Sequence, residues 1–209
     1  TKTYSVQDYA HYLLEGNYTD ETKQMVKEML NYGAKAQTYF AYKTGDLANA
    51  KLTEEQRAWG TATDPALTSV KNIAYQAVES PFVVWKGVSL RLGDSITMQF
   101  VFTAASTDGI TVRFENAGGT MLKEITAEDL TASGGYYIAS YSGITAGQMS
   151  ETVLVTAYNG DTAISNTVSY SVESYAHAKQ NDADASLAAL VRAMMKYGKL
   201  QTCAITDFP

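Results

Sequence analysis

The stretch Tyr4-Ser5-Val6-Gln7-Asp8-Tyr9-Ala10-His11 recurs near the other end of the chain as Tyr170-Ser171-Val172-Glu173-Ser174-Tyr175-Ala176-His177. The likeness resumes after a gap, where Met25-Val26-Lys27-Glu28-Met29-Leu30-Asn31-Tyr32-Gly33 answers Leu190-Val191-Arg192-Ala193-Met194-Met195-Lys196-Tyr197-Gly198. Self-similarity of this kind marks a repeated supersecondary unit. Two copies of one helical unit therefore bracket the 209 residues, and a different kind of sequence, rich in β-branched and aromatic residues and glycine turns, lies between them. The second copy follows that β-rich region; the first copy has none in front of it. Residues 1 to 43 accordingly read as the tail of a preceding module in a tandem array, or as helices packed on the sandwich. Residues 44 to 80 read as a connector, 81 to 172 as a β-sandwich and 173 to 209 as the second helical unit.

Local signals fill in the elements. Ser5 with Asp8 three positions on makes a capping box for a helix to about Glu15, with Tyr9, Leu13 and Leu14 on its apolar face. A second helix starts at Thr19 or Asp20 and runs to about Tyr42, with Met25, Met29, Tyr32, Ala36 and Phe40 as one stripe. Gly33 and Gly198 stand in the same frame, where close approach of another backbone would offset the helix cost of glycine, up to about 1 kcal/mol against Ala. Thr53 caps a helical turn, Asp64-Pro65 marks another turn, and Asp182 or Asp184 caps the last helix. From Phe82 the period changes to two. Phe82–Leu92 and Ser95–Thr103 form a hairpin, followed by strands at Ile110–Asn116, Met121–Ile125, Tyr136–Tyr141, Thr152–Tyr158 and Thr162–Val172. The expected fold class is mixed α+β: an immunoglobulin-like antiparallel β-sandwich with flanking helical units from an internal repeat. Both helical units are expected to pack on that sandwich.

Charge and cysteine content narrow the function. A net charge of −6 with no cluster of Lys and Arg argues against nucleic acid. No apolar run reaches the roughly 20 residues that cross a bilayer, so no membrane insertion is expected. One cysteine, Cys203, excludes a disulfide framework within the chain and reads as a small core or interface residue. Fifteen tyrosines against two histidines and one cysteine suit an exported bacterial surface protein, because Tyr favours half-exposed pleated surfaces and Cys is oxidised outside the cell.

Nothing in the sequence carries chemistry. His11 and His177 hold equivalent repeat positions without a partner at metal-ligand spacing. No nucleophile elbow or phosphate-cradling loop is present. A glycan-cleaving enzyme needs two acids opposed across a cleft, and the carboxylates here are scattered over helix surfaces. Asn181, Asp182 and Asp184 can start a helix without a metal, so no metal or cofactor is expected. Aromatics are the more informative class. Sugars stack their C–H faces on Trp and Tyr and need polar groups beside the ring. The candidates are Trp59 in its polar loop, Trp85 with Lys86, and Tyr136, Tyr137 and Tyr141. Alternation along the strand requires one of Tyr136 and Tyr137 to be structural.

The pattern Tyr-Ser-Val-x-x-Tyr-Ala followed by Met-Val-Lys-x-Met-Leu-Asn-Tyr-Gly-Ala-x-Ala-Gln resembles repeated extracellular modules of gut Firmicutes, ruminococci and their clostridial relatives, which accompany dockerins and carbohydrate-active domains. The chain is also similar to the non-catalytic starch-binding proteins of ruminococcal amylosomes. The likeness covers residues 1 to 43 and 166 to 203, the helical scaffold, so no binding residue carries over from it. It implies a non-catalytic carbohydrate-binding module on a secreted or cell-surface protein, with starch or another α-glucan as favoured ligand and neighbouring modules of the same polypeptide as partners. The rival expectation is a structural spacer or adhesion module without a sugar ligand.

Overall fold

The computed structural model describes residues 5–60 and 63–204, with side chains as far as Gln201. Tyr4 and the Cys203 side chain, singled out above, lie outside the described residues. The chain divides into two compact units, one made of Thr1–Leu67 and Ala178–Pro209, the other of Thr68–His177. Among the described residues the helices are α1 (Val6–Glu15), α2 (Asp20–Tyr39), α3 (Glu54–Ala58), α4 (Val172–Lys179) and α5 (Ala185–Ala204).

The first unit is helical. Its α1 begins with the expected capping box: Asp8 N–H donates to Ser5 Oγ at 3.0 Å, and Ser5 N–H donates to Asp8 Oδ2 at 3.2 Å. Two donors that would otherwise be orphaned at the helix start are thereby satisfied. Thr19 caps α2 from its hydroxyl, and Asp184 Oδ1 accepts from the backbone N–H of Ser186 (2.9 Å) and Leu187 (3.3 Å) at the start of α5. Ala10, Leu13 and Leu14 of α1 bury against Met25, Val26 and Leu30 of α2 and Leu52 of the following loop, with Tyr197 and Leu200 of α5 packed on this cluster. α2 packs against α5, and Tyr32 stacks on Tyr197 with ring centroids 6.1 Å apart. Gly33 is closely approached, though by a side chain rather than a backbone: a Cβ there would come within 3.0 Å of Ala48 Cβ in the loop that folds back over α2. Two residues of the expected apolar stripes turn outward. Tyr9 and Phe40 are both exposed: the buried face of α1 lies on Ala10, Leu13 and Leu14, and Phe40 is the C-cap residue past the end of α2.

The second unit carries two antiparallel sheets. Its strands are β1 (Asn72–Gln76), β2 (Val84–Arg91), β3 (Thr97–Thr103), β4 (Ile110–Asn116), β5 (Met121–Thr126), β6 (Thr131–Ser133), β7 (Tyr136–Ser142), β8 (Val153–Asn159), β9 (Thr162–Ala163) and β10 (Thr167–Tyr170). One sheet runs β1-β10-β8-β4-β5 with β9 also on β8; the other runs β2-β3-β7-β6. Period-two alternation places Met98, Phe100 and Phe102 of β3 inside, where Phe100 meets Phe114 of β4 edge-on at 5.8 Å and Tyr170 of β10 at 6.2 Å. Aromatic side chains from both sheets thus share one interior. The chain is mixed α+β, with two antiparallel sheets in a sandwich-like arrangement.

The stretch 44–80, read as a connector, is divided. As far as Leu67 it belongs to the helical unit and contains α3; beyond that it enters the sheet as β1. All five residues of β1 are exposed, so there was no buried face to write a pattern into Asn72-Ile73-Ala74-Tyr75-Gln76. The expected strand Thr162–Val172 is broken into β9 and β10, because Ser165 turns its hydroxyl to accept the Ala157 N–H at 2.8 Å, while Val172 already begins α4.

Candidate functional site

Trp59 sits at the C-cap of α3, a one-turn helix whose Thr53 and Gln56 form a reciprocal capping box. Arg57 holds the preceding loop by donating to the carbonyls of Leu52 (3.1 Å), Asn49 (2.9 Å) and Ala50 (3.1 Å). Asn49 in turn donates to Asn31 Oδ1 of α2 at 2.9 Å, and Ala48 N–H donates to Gln37 Oε1 at 2.6 Å. The loop is therefore fixed to α2 along its length, and Trp59 is delivered to a set place.

The anchor beneath it is a buried charge. Lys27 Nζ donates to the carbonyl of Trp59, and to that of Gly60 at 3.4 Å. Lys27 is paired with Glu28 at 3.0 Å, and both side chains are only 4% exposed. Asn31 donates to the other oxygen of Glu28 at 3.1 Å, and Lys196 of α5 approaches it at 3.5 Å. A buried carboxylate thus faces two amines and an amide, and its pairing with Lys27 holds that side chain aimed at the loop. Little in the pattern marks this pair, since Lys27 and Glu28 sit between apolar positions at the helix's own period.

Gly60 has φ near +50°, and a Cβ there would come within 2.3 Å of the Gln24 side chain, so a larger residue would be strained and would displace Gln24. Trp59, Gly60, Asp20, Lys23 and Gln24 line an open cavity of about 290 Å³. The indole is half-buried. Its body packs on the helical core, and Lys23 Nζ lies 5.5 Å from the ring centroid. One aromatic ring beside a carboxylate, an ammonium and an amide is the equipment for a small polar ligand with an apolar face. The size suits about one sugar ring.

The other candidates are scattered. Trp85 is 6% exposed, its Nε1–H donates to the Asn166 carbonyl at 2.7 Å, and its ring meets Phe102 edge-on at 5.2 Å. It is a core residue with no free face. Lys86 is exposed while Trp85 is buried, and Lys86 falls at the irregularity between Trp85 and Gly87 in the β2–β3 register, so the pair expected to act together is separated. Tyr137 is the structural member of its pair, packed on Phe102 at 5.6 Å, and Tyr141 is half-buried and stacks on Phe114 at 5.4 Å. Tyr136 is 45% exposed at the start of β7. Of the six candidates, Trp59 alone lines the cavity described above.

Acidic groups serve other ends. Asp182 pairs with Lys179 at 2.8 Å, and Asp184 caps α5; both carboxyls are held below their ordinary value, first by hydrogen bonds from Lys179 and from the Ser186 hydroxyl respectively. Among the described residues there is no group of three or more His, Cys, Asp or Glu placed to hold a metal ion, and no helix is long and apolar enough to cross a membrane. A second cavity of about 290 Å³, lined by Asp64, Pro65, Ala66, Leu67, Gln180 and Arg192, contains no aromatic ring, and Arg192 is engaged by Asn181 Oδ1 at 2.8 Å.

Sequence reasoning missed one group. Tyr9, Tyr12 and Tyr18 gather at the surface of the helical unit, with Tyr9 and Tyr12 stacked at 6.3 Å. The signal was present: Tyr12 falls off the face that Ala10, Leu13 and Leu14 define, and a large ring outside the buried face is informative. Comparison with protein-family models, with curated proteins and with solved structures finds no match.

Proposed function

We propose that this chain is a non-catalytic carbohydrate-binding module of a secreted or cell-surface bacterial protein, taking starch or another α-glucan. The observation that carries the reading is the Trp59 cavity, where a half-buried indole stands beside Asp20, Lys23 and Gln24. A pyranose stacks its C–H face on the ring and exchanges hydrogen bonds with the three polar side chains. Their charges offset one another, which suits a neutral sugar better than an acidic one. A site pre-formed by the Lys27 anchor keeps the ordering cost of binding low. Of the nearby carboxylates, Glu28 is buried in its ion pair with Lys27, which leaves Asp20 to meet the sugar.

The finer architecture belongs to the same proposal. We read the sandwich as immunoglobulin-like, supported by short antiparallel strands in two sheets around a buried tryptophan. We read α1–α2 and α4–α5 as copies of one repeated unit, supported by Tyr32 and Tyr197, equivalent in the repeat, which stack on each other. In a tandem array such an arrangement joins the helices of successive copies.

A spacer or adhesion role is the second reading, favoured by Lys23, whose ammonium occupies the ring face that a sugar needs. Affinity electrophoresis through gels containing starch, pullulan, xylan, cellulose or mucin separates the two. Retardation by starch and pullulan supports the α-glucan module. Migration unchanged by every polysaccharide selects the spacer.

A further inference from the structure

The three exposed tyrosines of the helical unit cluster at its surface, and what they flank decides what they can hold. Tyr9 and Tyr12, 54% and 63% exposed, present rings inclined by only 22° with centroids 6.3 Å apart. Tyr18, 38% exposed, completes the group from the loop between α1 and α2. Its position is built in: a Cβ on Gly16 would come within 2.7 Å of the Tyr18 ring, so the absence of a side chain at Gly16 lets that ring fold back toward α1. The Tyr18 phenol is raised above its ordinary value by desolvation, then by the nearby Tyr12 and Tyr9 phenols and a hydrogen bond with Tyr12, as expected for rings that crowd together.

Tyr18 stands two residues before Asp20, which lines the Trp59 cavity, so the two places are separated by at most about 7 Å of backbone. We propose that Tyr18, Tyr12 and Tyr9 extend the Trp59 site into a platform for several consecutive pyranose rings of one α-glucan chain. This rests on the glucan reading above and adds the length of ligand that the module takes. A cavity sized for about one ring cannot distinguish a free sugar from a polymer. Exposed rings that begin two residues along the chain from that cavity can, because they offer the next residues of a polymer further C–H-accepting surface and phenol hydroxyls. A solvated cluster of large aromatics is otherwise unfavourable for an exported protein, which gives the cluster a reason to exist.

The test is the chain-length dependence of affinity, measured calorimetrically with maltose, maltotriose, maltopentaose and maltoheptaose. The wild-type protein is expected to bind more tightly as the chain lengthens. Tyr12→Ala should remove most of that gain, weakening maltoheptaose binding roughly tenfold while leaving maltose unchanged. Tyr12→Phe, which keeps the ring, should restore at least half of the gain. Trp59→Ala should instead weaken every length. Thermal midpoints are read alongside, and Tyr9→Ala provides a second variant at an exposed position should Tyr12→Ala prove unstable. A length gain that survives both tyrosine substitutions overturns the platform and leaves the Trp59 site standing. No binding of any length by the wild-type protein overturns the glucan reading and the platform with it.

Discussion

Replacing Glu28 by alanine tests how the site is held. Glu28 is 3% exposed, and Lys27 beside it is equally buried, so removing the carboxylate leaves an ammonium in the helical interior with only the carbonyls of Trp59 and Gly60 and a more distant Lys196 around it. Breaking a buried pair from one side costs about 3–5 kcal/mol, since the remaining charge keeps its desolvation cost without its partner. Lys196 is the contrasting case. Its side chain is 19% exposed and 3.5 Å from the carboxylate, and Lys196→Ala should cost only about 0.2–1 kcal/mol of ion-pair energy. The double variant Lys27→Met with Glu28→Ala should be less destabilised than the sum of its parts by about 0.5–3 kcal/mol, because the second change removes the stranded charge. Urea unfolding followed by the two indole N–H signals reads the helical unit through Trp59 and the sandwich through Trp85. A Glu28→Ala cost under about 1 kcal/mol, or strict additivity in the double variant, would refute the view that a buried ion pair anchors the Trp59 loop.

Three further outcomes are expected. Leu30→Ala, at a position 2% exposed in the helical core, should cost about 2–5 kcal/mol in the Trp59-reported transition, and an unchanged midpoint would mean the helix is peripheral. Gly60→Ala forces a side chain into the left-handed region and onto Gln24, so it should lower glucan affinity more than it lowers stability, which calorimetry and thermal melting together measure. Asp184 is held below its ordinary value near 3.8, so the stability it contributes is present above that value and is lost as pH falls below it toward the folded-state pKa. Asp184→Asn should therefore flatten the acid limb of stability below about pH 4, and an unaltered limb would show that the cap does not titrate with folding.

The helices were legible because their ends are chemically marked. Ser5 with Asp8, Thr53, and Asp184 each announced a helix start that the structure bears out, and Leu13 and Leu14 lay where their period put them. The two-residue period served equally well at β3 and β4, whose inward residues face an aromatic interior, whereas at β2 an irregularity between Trp85 and Gly87 shifts it, so the buried Trp85 and Leu90 stand five positions apart. It failed at β1, which buries neither face and so leaves no alternation to read. Trp85 illustrates the limit for sites: a tryptophan beside a lysine looks like a sugar platform until the strand buries the one and exposes the other. Tyr9 was assigned inward for a related reason, since a helical wheel cannot say how wide the buried face is. Lys27 and Glu28 were illegible because burial of a charge depends on which carbonyls the folded loop brings to it.

The central claim is that Trp59 holds a glucan ring, and the indole N–H signals in a maltoheptaose titration test it most directly. The chain has two tryptophans, one lining the cavity and one in the sandwich core, so each signal is an internal control for the other. The account predicts that the Trp59 signal shifts progressively and saturates while the Trp85 signal stays in place. A Trp59 signal that does not move at saturating maltoheptaose would contradict it.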